Sequence, residues 1–175
     1  MMKTLAYKIA SLIKRTDPEG THSIEVMQYS LGIILNTVFI FVTSILLGWV
    51  TGRMGETVLV FLGIGILRMC SGGTHLKSAW ACNIVSIVIC VAIPHLSLFF
   101  GSMLIYMNVA SLVIMLWFAP RPDANVHISR KAYPWLKIVS VLLVALNFII
   151  GSSVVGLAFL VQSLTIIPLR RRKSP

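Results

Sequence analysis

Apolar runs of membrane-spanning length constrain this chain more than any other feature. A bilayer core of about 30 Å takes roughly twenty apolar residues of straight helix. Six runs meet or approach that length: residues 31–50, 57–67, 79–99, 102–118, 135–150 and 152–168. With 57% hydrophobic and 11% charged residues and a mean hydropathy of +0.92, the composition is far from that of a soluble protein. The sequence therefore predicts an all-α, polytopic integral membrane protein with six transmembrane helices.

The second run is the weakest of the six. Residues 57–67 are too few to cross a bilayer comfortably. Either this helix extends through Met69, or it belongs to a re-entrant arrangement, which is allowed only where protein or water satisfies the backbone. The sequence leaves both alternatives open.

The amino-terminal segment predicts a basic amphipathic helix lying in the membrane interface. Leu5, Ile9 and Leu12 share one helical stripe, and the cations of the first fifteen residues lie elsewhere. Asp17-Pro18-Glu19-Gly20 then breaks the helix. We expect one membrane domain over 1–175, made of an interfacial helix (1–20), a six-helix bundle (21–168) and a basic cytoplasmic tail (169–175).

Charge predicts both the partners and the orientation. The chain has 15 Lys and Arg against 5 Asp and Glu, a net charge of +10. On a hydrophobic chain this excess favours anionic membrane lipids over nucleic acid, for which the sequence has no motif. With six spans and a cytoplasmic amino terminus, every Lys and Arg except Arg53 falls on the cytoplasmic side. Both termini and the loop before the third span are therefore expected in the cytoplasm.

Residues 68–82, RMCSGGTHLKSAWAC, are the candidate active site. A cysteine reacts as its thiolate, a neighbouring histidine can accept the thiol proton, and nearby positive charge favours the anion. Cys82 and His75 supply the thiol and the imidazole, and Arg68 and Lys77 supply the cations. This pattern predicts a membrane-embedded thiol nucleophile with a histidine base.

The connection between these groups must fold back on itself. On a single helix, His75 and Cys82 would be about 10 Å apart along the axis, which is beyond hydrogen-bond reach. Gly72 and Gly73 allow the reversal because glycine takes positive φ without steric cost. We expect a helix to begin near Ser78, so that Cys82 lies about one turn into it.

The other two cysteines are predicted to pack between helices. Cys70 and Cys90 stand in apolar surroundings, where a free cysteine behaves as a small hydrophobe. A zinc site made of Cys70, His75 and Cys82 fits none of the usual ligand spacings and lacks an evident fourth ligand. We therefore predict no metal and no cofactor.

The same residues carry a resemblance to a known family. Arg68-x-x-Ser71-Gly72-Gly73-x-His75, followed seven positions later by Cys82, resembles the signature of the accessory gene regulator B (AgrB) family. Segments 25–36 and 119–123 resemble that family's first span and its proline- and acid-containing cytoplasmic loop, so the likeness covers nearly the whole chain.

The resemblance implies a membrane cysteine endopeptidase of the bacterial cell membrane that matures a quorum-sensing pheromone. Cys82 would attack a carbonyl of an AgrD-like pro-peptide, with His75 as the base, and release its carboxy-terminal tail. A Cys or Ser of the bound peptide would then close a thiolactone or lactone ring. The expected partners are this pro-peptide, anionic lipids and, as an open alternative, a second copy of the chain in a homodimer.

Further residues are assigned supporting roles on the same basis. Those expected to position substrate or stabilise the oxyanion are Arg68, Ser71, Gly72, Gly73 and Lys77. Those expected to bind substrate are Glu25, Arg121, Asp123, Arg130 and Lys131. The main rival function is a non-enzymatic small transporter or peptide-handling partner in which His75 and Cys82 merely pack. A thiol-based redox or acyl carrier, which would use Cys82 without His75, is a third.

Overall fold

The chain folds into helices joined by short connections. The computed structural model describes residues 2–74, 78–121 and 129–168. Its α-helices are α1 (Met2–Thr16), α2 (Ile24–Val50), α3 (Met54–Ser71), α4 (Ala79–Leu96), α5 (Leu104–Phe118), α6 (Tyr133–Ile150) and α7 (Ser153–Ile166). Short 3-10 turns, Gly101–Met103 and Arg130–Ala132, precede α5 and α6. The prediction of an all-α polytopic membrane protein is confirmed.

The number of membrane crossings is confirmed in part. Among the described residues, five segments, which contain α2 to α6, are long and apolar enough to cross a membrane. The sixth apolar helix, α7, has 14 residues, or about 21 Å at 1.5 Å per residue, which is less than the hydrocarbon core. The sixth crossing therefore remains a prediction.

Three helix boundaries differ from the apolar runs for local reasons. α2 begins seven residues before its run, because the Ser23 hydroxyl accepts a hydrogen bond from the Val26 N–H (3.4 Å) and caps the helix. α3 continues unbroken past Met69, as expected if the second run extends beyond residue 67. The run of α4 extends to residue 99, but the helix ends at Leu96, where the backbone N–H of Ser97 donates to Ile93 O and its hydroxyl donates to Pro94 O, both at 2.9 Å.

The helices pack through two buried clusters around α7. Leu67, Met115, Val144 and Phe159 join α3, α5, α6 and α7. A second cluster, of Val60, Cys90, Ile93 and Ala158, joins α3 and α4 to α7. α2 lies on the other side of α3 and α4, and it also carries α1.

Buried amides connect neighbouring helices inside the bundle. Asn36 of α2 and Asn83 of α4 exchange two side-chain hydrogen bonds, of 3.0 and 2.6 Å. Asn147 of α6 donates to Asn108 Oδ1 of α5 at 2.9 Å. Such pairs hold membrane helices together where lipid provides no hydrophobic driving force between them.

The amino-terminal helix forms as predicted and packs on α2. Its Ala6 and Ala10 are fully buried, whereas Leu5 and Leu12 remain exposed. The chain turns after Thr16, where the Lys14 ammonium donates to the carbonyl oxygens of Pro18 (2.6 Å) and Thr21 (2.8 Å). The position of α1 in a membrane interface stays a prediction, which its exposed leucines support.

One end of the bundle gathers the functional segments. Because successive spans alternate in direction, the beginnings of α2 and α4 lie at the same end as the carboxy-terminal ends of α3, α5 and α7. Hydrogen bonds confirm that the carboxy-terminal ends of α3, α5 and α7 lie together. Gly73 N–H donates to Arg121 O (3.1 Å), and Thr74 N–H donates to Thr165 O (3.1 Å). We call this end of the molecule the Cys82 end.

Candidate active site

Cys82 lies at the beginning of α4. Ser78 caps that helix: its hydroxyl accepts from Ala81 N–H at 3.5 Å, and its carbonyl accepts from Cys82 N–H at 3.0 Å. Cys82 is half-buried and its thiol is free. The expected helix start beside Ser78 is thus confirmed, and it places the thiol on the fourth helical residue.

The glycine pair reverses the chain at the end of α3. Gly72 N–H donates to Arg68 O at 2.8 Å, and Gly72 takes φ 74° and ψ −150°, a conformation found almost only in glycine. Gly73 follows at φ 148°, where a Cβ would lie 2.7 Å from Thr165 Oγ1. Both glycines are needed here for physical reasons, namely a positive φ and a close approach to α7.

Arg121, the third residue after α5, fixes this turn from one side. Arg121 N–H donates to Ser71 O (2.8 Å), and Arg121 O accepts from Gly73 N–H (3.1 Å), which forms a short parallel bridge. The Arg121 guanidinium donates to Ile166 O at 3.1 Å and so caps the last turn of α7. These contacts give Arg121 a structural role that the sequence did not indicate, while its predicted role in substrate binding stays a prediction.

α7 fixes the turn from the other side. The buried Gln162 amide donates to Gly72 O at 2.8 Å and to Ser71 Oγ at 3.2 Å. Thr165 O accepts from both the backbone and the hydroxyl of Thr74. Sequence reasoning missed Gln162 and Thr165. Gln162 did carry a signal, since it is the only amide side chain in the last apolar run.

The donors of the turn are already occupied. The backbone N–H groups of Gly72, Gly73 and Thr74 donate to Arg68 O, Arg121 O and Thr165 O. In this conformation none of the three is free to stabilise an oxyanion. The Arg68 guanidinium makes one hydrogen bond in the described residues, from Nη2 to Thr74 O at 3.0 Å, and it keeps further N–H groups for another acceptor.

Cys82, Arg68 and Thr74 line a single cavity of about 460 Å³. Its remaining wall comes from α2, α3, α4 and α7 and is mostly apolar, with Ile33, Phe61, Ile89 and Val161 among the lining residues. Gln162 and Thr165 also reach it. The structure thus brings the candidate nucleophile and one of the predicted cations to the same cavity.

The other predicted site residues fall into two groups. His75, Lys77 and Asp123 lie outside the described residues. Glu25 is exposed in the first turn of α2, and Arg130 and Lys131 are exposed in the turn before α6. Lys131, Arg130 and Glu25 do not line the cavity.

Fold and site together define a multi-pass helical membrane protein with a cysteine in the wall of a mostly apolar cavity between its helices. The family model described as Accessory gene regulator B matches residues 6–168. The chain therefore belongs to the AgrB family, whose members take part in the maturation of quorum-sensing peptides.

Two curated proteins resemble the chain over most of its length. Protein FsrB of Enterococcus faecalis is 28% identical over 159 residues, covering 82% of this chain and 64% of FsrB. An AgrB-like protein of Halalkalibacterium halodurans is 23% identical over 174 residues, covering 97% of this chain and 88% of that protein. The chain thus spans less than two-thirds of FsrB. No solved structure shows significant similarity to it.

Proposed function

We propose that this chain is a cysteine endopeptidase that cleaves a quorum-sensing pro-peptide at the cytoplasmic face of the bacterial cell membrane. One observation carries the proposal: Cys82 lines the same mostly apolar cavity as Arg68 and Thr74. The proposed base, His75, is the residue after Thr74 in the sequence.

The reaction begins with attack of the Cys82 thiolate on a peptide carbonyl carbon. His75 accepts the thiol proton, and the Arg68 guanidinium donates to the oxyanion that forms. The C–N bond then breaks, His75 protonates the leaving amine, and the carboxy-terminal tail of the pro-peptide departs. The amino-terminal part remains attached to Cys82 as a thioester.

Ring closure completes the cycle. A Cys or Ser within the bound peptide attacks the thioester carbonyl, which forms a thiolactone or lactone and returns the thiol to Cys82. Water competes for the same carbonyl, so the reaction needs a site that excludes water and holds the peptide folded. The mostly apolar lining of the cavity beside Cys82 supports the first requirement.

Cleavage by single-residue variants tests the proposal. The protein is reconstituted in liposomes with an AgrD-like pro-peptide. We expect Cys82→Ala and His75→Ala each to abolish cleavage, because the nucleophile and its base act as a pair. Cys70→Ala and Cys90→Ala are the matched controls and should retain substantial activity. All four variants are first checked for folding in the membrane.

The outcomes separate this function from its rivals. Cleavage by Cys82→Ala would exclude the cysteine-peptidase mechanism and favour a transporter or a peptide-handling partner. If His75→Ala cleaved the peptide and Cys82→Ala did not, His75 would be excluded as the base, and Cys82 would remain the nucleophile.

A further inference from the structure

The cavity beside Cys82 is elongated along the helix axes. Each of its three longest walls is one helical stripe: residues 33–40 of α2, 61–68 of α3 and 82–90 of α4. A stripe of seven positions corresponds to about 10 Å of depth at 1.5 Å per residue. The cavity therefore extends about that far along the helix axes from the level of Cys82.

The two ends of this cavity differ in polarity. α2 and α4 run away from the Cys82 end, whereas α3 and α7 run towards it. Register therefore places Arg68, Thr74 and Thr165 beside Cys82, and Ile40, Phe61 and Ile89 at the far end. The polar end contains the Cys82 thiol and the Arg68 guanidinium, and the far end is lined by aliphatic side chains, an aromatic ring and Cys90.

The amides that line the cavity have hydrogen-bond partners within the protein. Asn36 exchanges two hydrogen bonds with Asn83, and Gln162 donates to Gly72 O and Ser71 Oγ. The N–H groups that make these bonds are therefore directed to the protein and not to a bound molecule. The volume of 460 Å³ falls within the range of about 300–1,000 Å³ that is typical of ligand pockets.

We propose that this cavity binds a large apolar side chain of the substrate, namely that of the residue whose carbonyl carbon becomes bonded to Cys82. The inference rests on the proposed function, because the thioester is what fixes this residue at the mouth of the cavity. Its side chain enters the apolar depth while its backbone stays beside Arg68. The filled cavity excludes water from the thioester, which favours attack by the peptide's own Cys or Ser.

Thiol chemistry without any peptide tests the cavity directly. One protein keeps only Cys82 (Cys70→Ala, Cys90→Ala), and a reference protein keeps only Cys70 (Cys82→Ala, Cys90→Ala). Cys70 does not line the cavity, so it corrects for partition of the reagents into the membrane. Both proteins are treated with methyl and benzyl methanethiosulfonate, and the modification rates are measured by mass spectrometry.

Two glycines of α3 supply a matched pair of variants. Gly65 lines the cavity and Gly55 does not, and a Cβ at either position would meet open space. Gly65→Leu fills the cavity, while Gly55→Leu adds the same side chain to the same helix elsewhere. We expect the benzyl-to-methyl rate ratio at Cys82 to exceed that at Cys70 by at least about tenfold, since even one methylene in an apolar pocket is worth about 10–200-fold. Gly65→Leu should abolish this excess and Gly55→Leu should keep it.

A peptide experiment then tests the assignment to the substrate. Pro-peptides that differ only in the residue before the scissile bond, Leu or Ala, are compared by kcat/KM. We expect the wild-type protein to prefer Leu, and Gly65→Leu to reduce the Leu-to-Ala ratio by at least about tenfold relative to Gly55→Leu.

Each result has a defined meaning. Equal rate ratios at Cys82 and Cys70, or no effect of Gly65→Leu on the reagents, would overturn the cavity as a binding site. An altered reagent ratio with an unchanged Leu-to-Ala ratio would overturn the peptide as its occupant and point to a lipid chain. Failure of the wild-type protein to cleave any peptide would instead contradict the proposed function, and the reagent experiment would still report on the cavity.

Discussion

At the scale of single residues, the backbone of Gly72 is the most constrained feature of the site. Gly72 and Gly151 both end a helix, α3 and α6 respectively, at positive φ. Gly151 takes φ 69° and ψ 21°, the left-handed region that asparagine also adopts. Gly72 takes φ 74° and ψ −150°, a region almost restricted to glycine.

Asparagine substitution distinguishes these two glycines. We predict that Gly72→Asn lowers the free energy of unfolding by about 1–3 kcal/mol, the usual cost of a non-glycine residue in that region. Gly151→Asn should be tolerated with a smaller change, because its conformation suits asparagine. Unfolding in mixed detergent micelles measures both variants. Equal losses of stability in the two variants would contradict a specific requirement for glycine at position 72.

The sequence revealed part of this site at the residue scale. The pair Gly72-Gly73 indicated a chain reversal, and Ser78 indicated a helix start, because both signals are local. The contacts of Gln162 with Gly72 and Ser71 join residues about ninety positions apart. No local pattern specifies such a contact, so Gln162 was visible only as an unusual polar residue in an apolar run.

At the scale of helices, the link between α2 and α4 supports the cavity wall. Asn83, the residue that follows Cys82 in α4, exchanges two hydrogen bonds with Asn36 of α2. We predict that a double-mutant cycle of Asn36→Ala and Asn83→Ala gives a coupling free energy of about 0.6–1.7 kcal/mol, the range measured for interhelical hydrogen bonds in membranes.

A second double-mutant cycle, on two residues that do not share a hydrogen bond, serves as the control. Asn36 and Asn147 have separate partners, so the cycle of Asn36→Ala with Asn147→Ala should give a coupling near zero. Similar coupling in both cycles would contradict a specific link between α2 and α4.

Helix identity was easier to predict than helix boundaries. Apolar length alone located the helices α2 to α7, because a bilayer requires long apolar helices. The boundaries depended on capping by Ser23 and Ser97, which act through hydrogen bonds that hydropathy does not record. The arrangement around α7 was not predictable, since its mostly apolar sequence does not specify which neighbours it packs against.

At the scale of the whole molecule, positive charge is gathered at the Cys82 end. The described cations there include those of α1, Arg68, Arg121 and the turn before α6. At the opposite end, Arg53 is paired with Glu56 at 3.2 Å. This asymmetry favours a cytoplasmic Cys82 end, because Lys and Arg are retained on that side.

Thiol labelling in cells tests this orientation. We predict that a protein with Cys82 as its only cysteine reacts with a membrane-impermeant maleimide in inside-out vesicles and not in intact cells. A reporter at the other end, Met54→Cys in a cysteine-free background, should show the opposite pattern, since Met54 is exposed at the start of α3. Labelling of Cys82 from outside intact cells would reverse the proposed topology.

The central claim is that Cys82 forms a covalent acyl intermediate, and trapping that intermediate tests it most directly. The reconstituted protein is mixed with its pro-peptide, quenched in acid and measured by intact-protein mass spectrometry. We predict an added mass equal to the amino-terminal part of the peptide, located on Cys82 by fragmentation and removed by hydroxylamine as expected of a thioester. The Cys82→Ala protein should carry no adduct. Cleavage that proceeds with no adduct, or with the adduct on another residue, would contradict the account.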